Sequence, residues 1–437
     1  MRQHRRGVAQ RHAIFLRLPG PPVKSATLAR LPWAILAAAA TPSAAAAFSS
    51  TPACETSEGY SASFDGRRTF ALRPADLEAI RAALPNDPAI GAAYRKLIAR
   101  ADKALAAKPA SVIDKRSIPV SGDRHDYVSL ARYWWPDPAN PKGAYVRRDG
   151  DTNPDIESDR FDRAALAQMV HDADTLALAY YYSDDRKYAE GAARVIRTWF
   201  LDPATAMNPN MDFAQAVPGV SNGRAEGVLD GAGFIAAIDA AGLIAPSGAL
   251  TPTEMTALEG WFSRYVDWML KSPNGRAEGK ASNNHGLWYD AQVTRFALFA
   301  RRSDVARRIV AAFPARRIAR QVDPSGALPG ELTRTRSFHY SLYALDAAYT
   351  LADSAACLGV DLYRAEEQGR SLRTATDYVA AYRGRSADWP YKEQSWPTAM
   401  LDRLLVRADD AWGPGAYPRA VDGDLLLRRR IIPKDPE

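Results

Sequence analysis

Two asparagines and a histidine stand together in the stretch "ASNNHGLWYD", residues 281–290. Asparagine side chains compete with the helical backbone for hydrogen bonds, so Asn283 and Asn284 favour a turn or a helix cap. The apolar residues that follow predict a buried helix. An amide and an imidazole at such a boundary can point into a cleft, although a lone histidine beside an apolar helix is more often structural. His285 and Asn284 are therefore candidate site residues.

A second polar group lies in "GELTRTRSFHYSLYALDA", residues 330–347. Arg334 and Arg336 precede His339 and Tyr340, and an apolar helical stretch follows. A guanidinium is a rigid cationic fork that suits carboxylates. A tyrosine beside cations can have its pKa lowered, which would favour its use as a base. The ordinary alternative is that the arginines are solvated and the ring of Tyr340 is packed.

One reaction uses asparagine, histidine, arginine and tyrosine together without a metal or a nucleotide. In β-elimination on a uronic-acid polysaccharide, removal of the C5 proton builds enolate charge on the neighbouring carboxyl group. Amide donors or arginines aimed at that carboxyl group stabilise the charge. A histidine or a tyrosine takes the proton, and a tyrosine can protonate the departing O4. Both polar groups meet this single chemical demand.

The composition limits the other classes of function. The chain has 437 residues, of which 47% are hydrophobic and 24% charged, so it is long enough for a substantial core. Residues 1–48 contain seven Lys and Arg residues and no acidic one, so the net charge of +7 leaves a formal charge of zero for the remainder. Nucleic-acid binding depends on a basic footprint and is not expected. No HExxH or EF-hand pattern occurs, and we expect neither a metal nor a cofactor.

The first 48 residues have the features of a secretory signal peptide. A basic leader is followed by the apolar and small residues of "LPWAILAAAATPSAAAAF", residues 31–48. A membrane anchor is the alternative, but Pro42 interrupts the apolar stretch, which is short for a span. We expect a periplasmic or secreted protein with no stable membrane association after removal of the leader. Cys54 and Cys357 are able to form one disulfide in an oxidising compartment.

The sequence predicts that the mature chain is one all-α domain, residues 55–437, built from antiparallel helix pairs. In residues 251–254, "TPTE", we predict a capping box with Pro252 in the first turn of a helix. A long irregular segment, residues 111–160, interrupts the helices and is rich in aromatic residues, Pro, Gly and Asp. Helical spacing of apolar residues is found at about 162–183, 187–201, 225–242, 286–300, 303–313, 341–357 and 363–383.

Four quoted segments together resemble the alginate lyase family of polysaccharide lyases. They are "NNHG" at 283–286, "HDYVSLARYWWPDP" at 125–138, "RRDG" with "NPD" within 147–155, and "ELTRTRSFHYS" at 331–341. The resemblance spans roughly residues 110–400, and it is strongest to the branch that carries the "YWWPDP" segment. It implies the (α/α) toroid of helical hairpins and an acidic polysaccharide as the substrate.

The resemblance also implies roles for individual residues. Asn284 and His285 match the pair that neutralises the carboxylate and takes part in proton abstraction. Arg334 and Tyr340 match the arginine and the tyrosine of the family, the tyrosine serving as the acid and for some substrates also as the base. The spacing is one residue shorter than in the enzymes of the alginate-producing operons, so Arg336 and Tyr343 stay open as alternatives. The expected sugar subsites comprise Gln215, Arg224, His125, Tyr127, Trp134, Trp135, Arg336, His339 and Lys392.

Two other functions remain open at this stage. A glycoside hydrolase on a similar helical toroid would need two carboxylates across a cleft. A non-catalytic glycan-binding protein would use Trp134 and Trp135, which are equally well explained as core residues, but would gain nothing from His285 and Tyr340. For a lyase, we expect mannuronate-rich alginate as the substrate and glucuronan as the second choice. Candidate hydrolase carboxylates are Asp126, Asp137, Glu226, Asp230 and Glu331.

Overall fold

Helices form most of the secondary structure, as the apolar spacing predicts. The computed structural model describes residues 64–413, 415–417 and 425–428. The helices are α1 (Pro74–Ala83), α2 (Pro88–Ala106), α3 (Arg163–Ser183), α4 (Arg186–Ile196), α5 (Phe234–Ile244), α6 (Pro252–Lys271), α7 (Pro273–Lys280), α8 (Asn284–Phe299), α9 (Ser303–Phe313), α10 (Ala319–Gln321), α11 (Pro329–Leu332), α12 (Ser337–Ala356), α13 (Leu372–Ala380) and α14 (Thr398–Trp412).

The predicted capping box of α6 is confirmed. The Thr251 hydroxyl accepts a hydrogen bond from the backbone N–H of Glu254 at 3.2 Å, and the Glu254 carboxylate accepts one from the backbone N–H of Thr251 at 2.8 Å. Pro252 occupies the first helical position, where its missing N–H leaves no hydrogen bond unmade. Local sequence therefore defines where this helix begins.

Two predicted helices are shorter than the apolar pattern suggests. Residues Ala225–Gly233 form a tighter 3-10 helix, and α5 begins only at Phe234. A Cβ atom on Gly227 would lie 2.5 Å from the Ala214 carbonyl oxygen, so this stretch packs too closely against its neighbour for larger residues. The predicted helix at 363–383 begins at Leu372 instead, because its first residues form the hairpin of β5 (Glu366–Glu367) and β6 (Arg370–Ser371).

Successive helices pack as hairpins, and the predicted all-α toroid is confirmed. Helix α3 packs against α2, α4 and α5, and α8 packs against α6, α9 and α12. Every residue of α8 except His285 is buried. The stretch Ala225–Ser247 has the length and apolar composition of a membrane span, but 61% of its apolar part is buried, as expected for a core helix.

The irregular segment 111–160 has little regular structure, as predicted. Strand β1 (Val128–Leu130) pairs in parallel with β4 (Phe213–Ala216), and β2 (Trp134–Trp135) pairs antiparallel with β3 (Val146–Arg147). A small hydrophobic cluster of its own, separate from the main core, stabilises the segment. The buried members of this cluster are Val128, Leu130, Ile156 and Phe161.

A buried ion pair fixes this segment to the toroid. The Lys115 ammonium lies 3.1 Å from the Asp162 carboxylate, just ahead of α3, and both side chains are fully buried. Lys115 also donates to the carbonyl oxygens of Val112 and Arg124, and Asp162 accepts the backbone N–H of Val128. Burial raises the pKa of Asp162 to about 7 and lowers the pKa of Lys115. Removing either partner leaves a buried charge without compensation.

Some sequence predictions concern residues outside the described ranges, namely the leader, residues 1–48, and Cys54. The pairing of Cys54 with Cys357 therefore stays a prediction, and so does the start of the mature domain at residue 55.

Replacing Lys115 by methionine should lower the free energy of unfolding by about 3–5 kcal/mol, because the Asp162 carboxylate then remains buried without its cation. Denaturant titration followed by circular dichroism measures the loss. Lys108→Met is the matched control, since Lys108 lies just before the segment and forms an exposed ion pair with Asp114, so its loss should leave the midpoint unchanged. Equal midpoints for both variants would contradict the anchoring role.

Candidate active site

Residues from α3, α7, α8, α12, α14 and the irregular segment line one cleft of about 1350 Å³. Ten of the thirteen predicted site residues lie in its wall, and they come from four separate parts of the sequence. The toroid therefore brings the two polar groups of the sequence together. The ten residues are Tyr127, Trp134, Gln215, Arg224, Asn284, His285, Arg334, Arg336, His339 and Tyr340.

Three predicted subsite residues do not line the cleft. The His125 ring is hydrogen-bonded through Nδ1 to the Ala206 carbonyl oxygen at 2.6 Å. The Trp135 indole donates to the Asp151 carbonyl oxygen at 3.0 Å. Lys392 is exposed, and its backbone carbonyl accepts hydrogen bonds from the residue that begins α12.

Positive charge predominates in the cleft wall. Eight arginines outnumber five acidic residues there, and no lysine is present among the described lining residues. Arginine presents a planar fork that binds carboxylates through two hydrogen bonds, so the wall suits a polymer of acidic sugars. The arginines are Arg132, Arg147, Arg163, Arg224, Arg334, Arg336, Arg403 and Arg407.

His285 is held by a buried carboxylate. Asn283 caps α8, its side chain accepting the backbone N–H of His285 at 3.2 Å, so the predicted cap is confirmed. The His285 Nδ1 atom lies 2.6 Å from Glu278 Oε1, and the Glu278 side chain is only 3% exposed. An Nδ1–H bonded to a carboxylate leaves Nε2 as the unprotonated nitrogen of the neutral ring. Burial lowers the pKa of His285, but the hydrogen bond and charge of Glu278 outweigh it and raise the pKa above the ordinary value.

A second buried carboxylate lies under Asn284. Glu331 Oε1 accepts the backbone N–H of Asn284 at 2.5 Å, and Oε2 accepts from Nδ2 at 2.8 Å. Asn284 is fully buried and Glu331 is 1% exposed. Among the described residues, Asn284 Oδ1 has no hydrogen-bond partner. Burial raises the pKa of Glu331, against the opposing hydrogen bonds of Asn284 and the charges of Arg334 and His285.

Tyr340 meets a second tyrosine and a guanidinium. Its hydroxyl oxygen lies 2.6 Å from that of Tyr133, and the Arg334 guanidinium lies 3.9 Å from the centre of its ring. The sequence suggested that the neighbouring cations would lower the pKa of Tyr340. That expectation is wrong: burial raises the pKa, and the charge of Arg334 offsets only part of the effect. Tyr340 therefore keeps its proton near neutral pH.

The irregular segment also positions Arg334. Asp149 accepts hydrogen bonds from the Arg334 guanidinium at 3.0 Å and from the Thr335 hydroxyl at 3.0 Å. Burial raises the pKa of Asp149, but Arg334, Thr335 and Arg147 outweigh it and hold the pKa at about 2. Of the two candidate arginines, Arg334 is the one stacked on the tyrosine, whereas the guanidinium of Arg336 lies 3.5 Å from His339 Nδ1.

Gln215 links Arg224 to the buried carboxylate of Asp230. Gln215 has a left-handed backbone with φ of 50°, which is uncommon for a residue other than glycine. Its amide donates to Asp230 at 3.1 Å and accepts from Arg224 at 2.9 Å. Asp230 also accepts from the hydroxyls of Tyr127 and Ser129. These contacts fix the Arg224 guanidinium on the cleft wall, where it also forms an ion pair with Glu226 at 3.2 Å.

His339 lines the cleft as a neutral ring. Burial first, and then the charges of Arg336, Arg132 and Arg334, lower its pKa to about 4. Of the five carboxylates considered for a hydrolase, only Glu226 and Asp230 line the cleft, and Asp230 is committed to the hydrogen bonds described above. Among the described residues, no cluster of three or more His, Cys, Asp or Glu side chains is arranged to hold a metal ion.

Sequence reasoning missed three residues of this site: Tyr133, Asp149 and Glu278. Tyr133 and Asp149 belong to the quoted segments "YWWPDP" and "RRDG", but nothing in their spacing shows that they meet Tyr340 and Arg334. Glu278 lies seven positions before His285 in a different helix, and no motif links the two residues. A carboxylate partner for His285 is nevertheless a general requirement for orienting a functional imidazole.

Comparison with known proteins identifies the family. The alginate lyase family matches residues 111–389. The structure resembles an alginate lyase from Bacteroides ovatus, with a TM-score of 0.79 and 35% sequence identity over 83% of this chain and 99% of that one. Two variants of alginate lyase A1-III, each complexed with a tetrasaccharide, share the fold at TM-scores of 0.53 and 0.52, with 18% and 17% identity over 82% of this chain and 95% of theirs. No curated protein matches the sequence.

The fold and the cation-rich cleft are those of a polysaccharide lyase on a helical toroid. The family match covers more than half of the chain, and the Bacteroides enzyme matches over almost its whole length. The chain belongs to the alginate lyase family.

Replacing Glu278 by glutamine should lower the pKa of His285, because the amide keeps the shape of the side chain but removes the charge that stabilises the imidazolium. Titration of the histidine ring protons by NMR measures this pKa. Glu259→Gln removes a carboxylate that pairs with Arg301 and does not line the cleft, and it should leave the His285 titration unchanged. An unchanged pKa in the Glu278 variant would refute the pairing.

Proposed function

We propose that the protein cleaves mannuronate-rich alginate by β-elimination and leaves a 4,5-unsaturated uronate at one new chain end. The observation that carries this proposal is that one arginine-rich cleft contains both His285, whose imidazole is bound to a carboxylate, and Tyr340, which keeps its proton. These are a ready base and a ready acid. A hydrolase would instead need two carboxylates free to act on the glycosidic bond.

His285 takes the C5 proton in this proposal. With Nδ1–H bonded to Glu278, the lone pair of Nε2 is free to accept a proton. The buried Glu278 carboxylate then stabilises the imidazolium that forms. Because the pKa of His285 is raised, the neutral form that acts as a base increases as the pH rises through that pKa. Activity should therefore increase from acidic toward alkaline pH.

Arg334 and Asn284 stabilise the charge that develops on the substrate carboxyl group. Loss of the C5 proton turns the carboxylate into an enolate with additional negative charge. The guanidinium is fixed by Asp149 before the reaction, so it needs little reorganisation, and the Asn284 side chain is hydrogen-bonded to Glu331 at the same wall of the cleft. Arg334 bears the positive charge, and Asn284 supplies hydrogen-bond donors.

Tyr340 completes the reaction by protonating O4 of the leaving sugar. The C5–H and C4–O4 bonds break, and a C4–C5 double bond forms between the two carbons. Tyr340 is left as a phenolate, which is stabilised by the hydroxyl of Tyr133 and by Arg334 until it regains a proton from water. His285 releases its proton to water, so the enzyme returns to its starting state.

The stereochemistry of the sugar decides how the acid and the base must be placed. In mannuronate and glucuronate, the C5 proton and O4 lie on one face of the ring, whereas in guluronate they lie on opposite faces. When the C5 proton and O4 lie on one face, His285 and Tyr340 act from the same side of the ring, or Tyr340 alone removes the C5 proton and protonates O4. Glucuronan shares the C4 and C5 configuration of mannuronate and is the second candidate, and guluronate is the remaining alternative.

We also propose that the enzyme acts in the periplasm or outside the cell. The basic and apolar leader supports export, and an extracellular polymer is the natural substrate for an exported enzyme. Cell fractionation with N-terminal sequencing of the mature protein tests this proposal, and an intact leader on a cytoplasmic protein would overturn it.

Replacing Tyr340 by phenylalanine should lower kcat on polymannuronate by about 10²–10⁴-fold, the usual contribution of a general acid, with a small change in KM. Ultraviolet absorbance of the unsaturated uronate follows the reaction, with polymannuronate, polyguluronate, glucuronan and a neutral glucan offered separately.

Tyr145→Phe is the matched control, because Tyr145 belongs to the same irregular segment as Tyr133 but packs against the small hydrophobic cluster outside the cleft. It should keep the wild-type rate. Reducing ends without ultraviolet absorbance would overturn elimination, and full activity of the Tyr340 variant would overturn the role of the acid.

A further inference from the structure

Glu331 orients the Asn284 amide so that the amide oxygen is left without a hydrogen-bond donor. Its Nδ2 donates to Glu331 Oε2 at 2.8 Å, and its Oδ1 is buried with no hydrogen-bond partner among the described residues. Asn284 lines the cleft, whereas Glu331 lies behind it and is only 1% exposed. In this orientation one amide hydrogen is used by the protein, and an acceptor oxygen is left without a donor.

That orientation is poorly suited to a substrate that carries a carboxylate. An acceptor oxygen repels a carboxylate, and a negatively charged Glu331 directly behind Asn284 opposes the enolate charge. Rotation of the amide by half a turn would exchange Nδ2 and Oδ1 with almost no change of shape. Both amide hydrogens would then be free of Glu331, but Glu331 Oε2 would face Oδ1 and would have to supply a proton.

We infer that Glu331 is a neutral carboxylic acid in the working enzyme and donates its proton to Asn284 Oδ1, which turns both amide hydrogens toward the substrate carboxyl group. The other oxygen of Glu331 continues to accept the backbone N–H of Asn284. Asn284 Oδ1 and both oxygens of Glu331 then have hydrogen-bond partners, and the two amide hydrogens are available to the substrate. Glu331 is a positioning residue that acts through Asn284, and this inference rests on the proposed function.

The surroundings of Glu331 support the neutral form. Among the described residues, no Lys, Arg or His side chain forms an ion pair with Glu331, and a buried carboxylate without a paired cation is costly. The charged groups that face it are Arg334, which is paired with Asp149, and His285, which is paired with Glu278. Both cations favour ionisation of Glu331, but burial has the larger effect and raises its pKa.

Glu331→Gln tests the inference, because glutamine copies the neutral acid. Its Oε1 accepts the backbone N–H of Asn284, so its Nε2 must donate to Asn284 Oδ1 and impose the rotated amide. We expect kcat on the preferred uronan within about threefold of the wild-type value. Asn284→Ala should lower kcat by about 10²–10³-fold, the effect of removing a hydrogen-bond donor from developing charge. A loss in Glu331→Gln as large as that in Asn284→Ala would overturn the inference.

Infrared spectroscopy provides a readout that does not depend on activity. The wild-type minus Glu331→Gln difference spectrum should contain the carbonyl stretch of a protonated carboxylic acid, and the bands of a carboxylate in its place would contradict the inference. Circular dichroism confirms that the variant is folded. Failure of the proposed function has a different signature, since wild-type enzyme would then form no unsaturated product from any uronan.

Discussion

The first turn of α8 is the part of the structure on which the site depends. It begins a helix that is buried on every side, yet its first two residues are an asparagine and a histidine. Two buried carboxylates make this possible: Glu331 bonds the backbone and the amide of Asn284, and Glu278 bonds the ring of His285. Buried polar groups are costly unless they are paired, so these contacts fix the direction of both side chains.

Another part of the cleft wall is organised by the irregular segment, residues 111–160, which has little regular secondary structure. It contributes Tyr133 to the hydroxyl of Tyr340 and Asp149 to the guanidinium of Arg334. The segment is itself fixed to the toroid by the buried pair of Lys115 and Asp162. The helical hairpins therefore provide rigid positions, and one irregular segment joins the arginine and the tyrosine into a single unit above the cleft.

The sequence predicts the fold better than it predicts the contacts within the site. Apolar spacing locates α3 and α9 closely, because a buried helical face leaves a period of 3.6 residues in the sequence. It misplaces the start of α5, where close packing of Gly227 produces a tighter helix, and it misses the hairpin before α13. Residue types and their order identify His285 and Tyr340 as candidates, but the partners Glu278 and Tyr133 are set by folding, which brings distant residues together. The direction in which the Tyr340 pKa shifts also depends on burial, which the sequence alone does not show.

The central claim is that the glycosidic bond is broken by elimination and not by water. Cleavage of polymannuronate in water enriched in oxygen-18, followed by mass spectrometry of the oligosaccharides, tests this claim most directly. Elimination transfers no water oxygen to the sugar at the broken bond, so every cleavage should give one unsaturated end and no label there apart from slow exchange at the reducing carbon. Saturated ends that carry oxygen-18 would show hydrolysis and would contradict the assignment of His285 and Tyr340 as base and acid.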